Sequence, residues 1–336
     1  MRDKKSPRSP IDLYLVETPF QLLGAYEAIR HFGVPYRLFI RLSGVGRNDE
    51  QLQMLARELG VRVGGVLRIQ KHSRKDLLME VSKCCVRILT KYNRIFVGSY
   101  FSRALQLIAA FTRKRDVVFL DDGVATYLVQ ERLKKLGRPI SLFTLFDLPP
   151  IQDQRIWVHK FEALRERYRS TISDGRVFIG QNLFASGSIT PQAYLKFVME
   201  LAEADRSLPL IYIPHRTEPK ELLKKIGDLP FVDIQYPASG IELYFLKKGC
   251  VPKEFYSVCS TAIFSLSAMF PQAKFFVVSP DGYDPSKFPH WQRIARGLKS
   301  IPNVFFLPRG NAGVAEVKHF QNDRQVDGPV NLRNPC

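Results

Sequence analysis

Apolar positions along the chain come in short, nearly continuous runs, each followed by a longer stretch whose apolar residues recur every three or four positions. A short run rich in β-branched residues reads as a strand buried on both faces, and the spaced stretch reads as an amphipathic helix. In the first half the pairs are 12–17 with 20–32, 36–42 with 48–60, 61–69 with 74–89, 94–98 with 102–113, and 116–122 with 124–135. Thr18-Pro19 opens the first helix and Gly33 closes it, in keeping with a hydroxyl N-cap and a C-terminal glycine. The pattern lapses over 138–175, a Pro-, Gln- and Arg-bearing stretch with one helical piece at 161–169. It then resumes, with strand–helix pairs at 176–180 with 189–204, 210–215 with 219–227, and 255–260 with 261–270. A helix at 240–249 and strands at 274–279 and 304–308 complete the second half.

Alternation of this kind predicts an α/β protein of two Rossmann-like domains, each a doubly wound parallel sheet, facing each other across a cleft. The expected bounds are a first domain at 11–137, a connection at 138–175, a second domain at 176–309 and a poorly ordered tail at 310–336. A length of 336 residues suits two such domains. No apolar run approaches the ~20 residues of a membrane-spanning helix; the best stretch, 95–111, is broken by Arg103. The N-terminal segment is basic and leads into a run too short and too charged for a signal-peptide core, so the expectation is a cytoplasmic protein. Five cysteines without a C-x-x-C pair support neither a zinc site nor a disulfide framework.

Charge changes the picture more. Fifty Lys and Arg against 32 Asp and Glu leave a net charge of +18, which calls for an anionic partner: nucleic acid, an acidic membrane surface or an acidic substrate. The 74–89 helix, with Lys71, Arg74, Lys75, Lys83 and Arg87 around it, could lie against acidic lipid or simply pack with a solvated basic face.

Ligands of doubly wound sheets bind at the carboxyl ends of the strands, so the polar residues there are the candidates. Asp121-Asp122-Gly123 ends a strand of the first half. Two adjacent carboxylates can supply a general base with an orienting neighbour, can hold a divalent cation, or can form an ordinary turn. In the second half His215 follows Pro214 just beyond a strand, and Arg216 follows it. The imidazole can donate to a phosphate or act as an acid, and Arg216 is a natural partner for an oxyanion. Ser260 and Thr261 stand between a strand and an apolar helix, where they can cap the helix or help bind one phosphate. Glu242, near a helix start, can favour the helix dipole or bind ribose hydroxyls. Gln181 and Asn182 can hold sugar hydroxyls or form a turn.

The order of these elements resembles the bacterial sialyltransferases of the two-Rossmann (GT-B) type, especially the lipooligosaccharide sialyltransferases and bacterial polysialyltransferases. The matching pieces are "DDG" at Asp121–Gly123, "PHR" at Pro214–Arg216, "ST" at Ser260-Thr261, and the opening "VETPFQLLGAYEAI", Val16–Ile29, with its TP-x-Q start. The similarity covers most of residues 11 to 308. It departs in placing proline before His215 and arginine after it, where many relatives have His then Pro.

The resemblance implies inverting, metal-independent transfer of sialic acid or a related acidic sugar from a CMP-sugar to a surface glycan or glycolipid such as lipooligosaccharide or capsule. It implies Asp121 as base, with Asp122 and Gly123 orienting it or the acceptor, and His215 donating to the departing phosphate. Ser260, Thr261 and Arg216 would hold that phosphate, Glu242 the ribose, and Gln181 and Asn182 the donor sugar. No cofactor and no nucleic acid are implied, and peripheral contact with an acidic inner membrane fits the charge. CMP-Kdo serves as donor in related families. Two rivals stand beside this reading: a metal-dependent UDP-sugar transferase using Asp121 and Asp122 as ligands, and a basic glycan- or RNA-binding protein without turnover.

Overall fold

The computed structural model describes residues 10–309 other than 45, 70–77, 80, 84, 85, 87, 89, 289 and 290. The chain forms two compact units, Met1–Glu166 and Arg167–Cys336. The tail expected at 310–336 lies outside the described residues, as does most of the basic helix expected at 74–89.

The first unit is built on β1 (Asp12–Val16), β2 (Tyr36–Leu42), β3 (Val63–Arg68), β4 (Tyr92–Val97), β5 (Lys114–Leu120), β6 (Ser141–Thr144) and β7 (Ile156–Val158). They form one seven-stranded sheet in the order β3-β2-β1-β4-β5-β6-β7, and every pairing is parallel. Its helices are α1 (Pro19–Phe32), α2 (Gly46–Glu58), α3 (Arg103–Phe111) and α4 (Ala125–Leu136), and α5 (Glu162–Tyr168) carries the chain into the second unit. All five residues of β1 are buried, the condition of a central strand covered on both faces. The chain order reverses between β1 and β4, so the switch point of this sheet lies at the ends of those two strands.

The second unit repeats the plan with β8 (Thr171–Ile179), β9 (Leu210–Ile213), β10 (Val232–Ile234), β11 (Cys250–Ser257), β12 (Lys274–Ser279) and β13 (Val304–Arg309). The order is β10-β9-β8-β11-β12-β13. Its helices are α6 (Pro191–Glu203), α7 (Lys220–Gly227), α8 (Ile241–Lys248), α9 (Ala262–Met269) and α10 (Trp291–Lys299). The switch point falls between β8 and β11. Each unit has its own apolar core, centred on Leu13, Ile95 and Ile108 in the first and on Phe178, Tyr212 and Phe276 in the second.

Residues 138–175 are not a free connection. β6 and β7 lie inside that stretch and extend the first sheet, and β8 begins the second within it. β6 lies in the apolar run at 140–146, which has no helical stretch directly behind it to mark a strand–helix pair, and the three-residue β7 is too short to show a period; pairing of β6 with β5 and of β7 with β6 decides them. β10, three residues long, is too short to show a period, whereas α10 is amphipathic and its spacing is legible in the chain. Among the described residues no helix is long and apolar enough to cross a membrane.

Candidate active site

At the end of β5 the two adjacent carboxylates part company. Asp121 is 3% exposed. Its Oδ1 receives hydrogen bonds from the hydroxyls of Thr126 at 2.9 Å and Thr144 at 2.6 Å, and its Oδ2 receives the N–H of Leu145 at 2.6 Å. The buried ring of His159 brings Nε2 to 3.7 Å from Asp121 Oδ2 and stacks on Phe143 with centroids 4.7 Å apart. Asp121 therefore ties β5 to β6 and α4, and its oxygens are turned into the unit. A base must reach a substrate proton, and this geometry encloses Asp121 with protein donors, which does not favour the role expected of it.

Asp122 is half-buried and turned toward α1, where Gln21 Nε2 donates to its Oδ1 at 3.0 Å. The two carboxylates are thus directed at different elements. Gly123 adopts φ +62°, the left-handed conformation that lets the chain leave β5 and enter α4 at once. Near the switch point, Glu17 Oε2 accepts from Arg41 Nη1 at 2.5 Å and from the Ser102 hydroxyl at 2.8 Å.

The second unit gathers every candidate named for it at the carboxyl edge of its sheet. Gln181, just beyond β8, spans the switch point: its Oε1 accepts from the Cys259 N–H at 2.9 Å. Asn182 Nδ2 donates to the Thr217 carbonyl at 2.8 Å, which ties the loop after β8 to the turn after β9. That turn presents His215 and Arg216, both exposed. His215 Nδ1 lies 2.9 Å from the Thr217 hydroxyl and 3.3 Å from the Thr217 N–H, an arrangement that suits Nδ1 as the acceptor and Nε2 as the N–H of the neutral ring. Partial desolvation of its ring by the surrounding turn, with the Arg216 charge adding to it, holds the His215 pKa below its ordinary value. At neutral pH this histidine is thus an uncharged N–H donor.

Ser260 and Thr261 divide their work. Ser260 is buried, and its hydroxyl accepts the Ala262 N–H at 3.3 Å, the helix-capping alternative. Thr261 is exposed at the start of α9, and its side chain makes no capping bond. Glu242, at the start of α8, accepts from the Ser265 hydroxyl at 2.8 Å and so joins α8 to α9 one turn along from Thr261. Burial raises its pKa.

Glu218 is the residue that sequence reasoning did not single out. It is buried, and it receives the Tyr212 hydroxyl at 2.6 Å and the His215 N–H at 2.6 Å. The Gln181 N–H is directed at it as well. One carboxylate thereby sets both the loop after β8 and the turn after β9. Gly180 makes room for it, since a Cβ there would lie 2.6 Å from both Glu218 Oε2 and the Tyr212 hydroxyl. The available signal was the glutamate three residues after His215, closing a turn through its own N–H to the His215 carbonyl.

Burial raises the pKa of Glu27, Glu218 and Glu242 above the ordinary 4.5. A carboxyl raised in the folded state binds protons more readily there than in the unfolded chain, so its contribution to stability is lost as pH rises through the folded value. His215, lowered, acts in the opposite sense. The contribution of Glu218 to the melting temperature should therefore grow as pH is brought down toward the ordinary glutamate range, and Glu218→Gln should remove that part of the pH dependence. Melting curves across that range check this.

Two Rossmann-like units in succession define the GT-B class of fold, and solved structures bear that out. The chain resembles, over 94% of its length and 92% of the other chain, the UDP-GlcNAc 2-epimerase of Neisseria meningitidis bound to UDP-GlcNAc, with a TM-score of 0.59 and 11% identity. The Staphylococcus aureus MnaA–UDP structure matches with a TM-score of 0.57 and 11% identity, over 95% of this chain and 89% of that one. A glycosyltransferase from Rickettsia africae matches at 0.52 and 10% identity, over 96% and 89%. No family model and no curated protein matches the sequence.

Proposed function

We propose that this protein is an inverting, metal-independent glycosyltransferase that uses a nucleotide-activated sugar. The observation that carries the reading is the linked set at the carboxyl edge of the second sheet. Gln181, Asn182, His215, Ser260, Thr261 and Glu242 all lie there, joined through Cys259, Thr217, Glu218 and Ser265. The set offers a nucleotide what it needs. His215 Nε2–H, the Arg216 guanidinium, the Thr261 hydroxyl and the positive end of α9 are donors suited to a phosphate leaving group. Glu242 can accept from ribose hydroxyls.

On the first unit Asp122 serves as the base, with one oxygen held by Gln21 and the other left to take the acceptor's proton. The acceptor oxygen bonds to the anomeric carbon as the bond from that carbon to the phosphate breaks. The proton passes to Asp122, and the electron pair leaves with the phosphate, stabilised by His215 and its neighbours. The divergence of Asp121 from Asp122 argues against the metal-dependent form of the reaction.

The donor we favour is a CMP-activated acidic sugar, sialic acid or Kdo, with a glycan or glycolipid as acceptor. It rests on the ordered motifs and on a net charge of +18, which suits anionic substrates. A UDP-sugar is the second reading, because two of the structures this chain resembles hold UDP-GlcNAc or UDP. At 11% identity those likenesses carry the fold and not the epimerase chemistry. Calorimetric titration with CMP and with UDP separates the two donors. Binding of CMP alone is the expected result, binding of UDP alone would move the donor assignment, and binding of neither would remove the nucleotide-sugar reading.

A further inference from the structure

Gln21, in the TP-x-Q start of α1, does more than begin a helix. Thr18 caps the helix by accepting the Gln21 N–H at 3.3 Å. Gln21 in turn reaches back, and its Oε1 accepts the Glu17 N–H at 2.9 Å. This is a capping box displaced by one residue, and a capping box needs only an acceptor at this position. Glutamate would serve equally, and its charge would also suit the positive end of the helix. What glutamine adds is a donor, and that donor meets Asp122 Oδ1 at 3.0 Å. The amide cannot be turned round, because a flip would set N–H against the Glu17 N–H and oxygen against carboxylate. Nor can it swing aside: Gln21 is 1% exposed, and Gly98 lacks the Cβ that would collide with its Oε1.

We infer that Gln21 is the positioning residue of the base: its N–H holds Oδ1 of ionised Asp122 and leaves Oδ2 as the proton-accepting oxygen. The inference rests on Asp122 acting as the base. The other charged groups beside it are already engaged. Asp121 is held by Thr126, Thr144 and Leu145 with His159 beside it, and Glu17 is paired with Arg41. Gln21 is thus the side-chain donor that fixes the direction of the Asp122 carboxylate.

The test is Gln21→Glu, which keeps the cap and removes the donor. Two carboxyl groups at this separation share a proton, so the pair's apparent pKa rises. With aspartate 13C-labelled at the carboxyl and Asp122 assigned through Asp122→Asn, the midpoint of the Asp122 resonance should move up by about one pH unit or more. The acid limb of the pH–rate profile should move with it. On the acid side of both midpoints turnover should fall roughly tenfold, because a base that titrates one pH unit higher is about ten times less ionised there. An unmoved Asp122 resonance in folded Gln21→Glu overturns the inference. Should Gln21→Glu fail to fold, the same change in the Asp122→Asn background should fold, because the asparagine amide can donate to the new carboxylate. Failure of that double variant as well would make Gln21 a packing residue only. The carboxyl titration reads Asp122 without turnover, so activity retained in Asp122→Asn would remove the base while leaving the titration result standing.

Discussion

Asp122→Asn should lower turnover of the donor by roughly 10²–10⁴-fold, the usual contribution of a general base, with a melting temperature within about 2 °C of wild type. Asp121→Asn should do the reverse. Asp121 is enclosed by two hydroxyls and one backbone N–H, and substituting it leaves at least one of these donors unmatched in the interior. Each such loss costs about 1–3 kcal/mol, which in a chain of this size lowers melting by several degrees. Turnover measured per folded molecule should fall far less than in Asp122→Asn. Side-by-side kinetics and melting of the two variants check the assignment. A pair that loses activity equally and melts equally would show that the direction of the carboxylates is irrelevant to the chemistry.

His215→Ala should reduce turnover by roughly 10²–10³-fold, as removal of a single oxyanion donor does in other active sites. The wild-type histidine has its pKa lowered and is neutral at pH 7, so its service is that of an Nε2–H donor. Raising the pH from about 7 to about 8.5 should therefore leave that service intact, whereas a histidine acting as a charged acid would lose it across the same range. The Asp122→Asn and His215→Ala effects should differ in one respect. The histidine contributes to nucleotide binding, so nucleotide affinity should weaken in His215→Ala and remain near wild type in Asp122→Asn.

Much of the fold was legible in the chain because parallel strands buried on both faces are written as apolar runs. The run at β1 is an example, buried throughout. The placement of His215, Glu242 and the Ser260-Thr261 pair followed from the rule that ligands meet such sheets at strand ends. What could not be read was which of two neighbours faces outward. Both Asp121 and Asp122 lie in the turn just beyond β5, where no strand period assigns a direction to either side chain. The choice is made by Thr144, on a strand 23 positions away. Glu218 was hidden similarly. Its partners Tyr212, His215 and Gln181 are brought together only when β8 and β9 pair, and Gly180 vacates the space. Long-range hydrogen bonds leave no periodic trace in a sequence.

The most direct test of the proposed chemistry is release of the nucleotide from CMP-sialic acid, and in parallel from UDP-GlcNAc, by wild type, Asp122→Asn and His215→Ala with EDTA present. The predicted result is release from one donor by the wild type, undiminished by the chelator and lost in both variants. Release that needs a divalent cation, or that survives loss of both side chains, would contradict it.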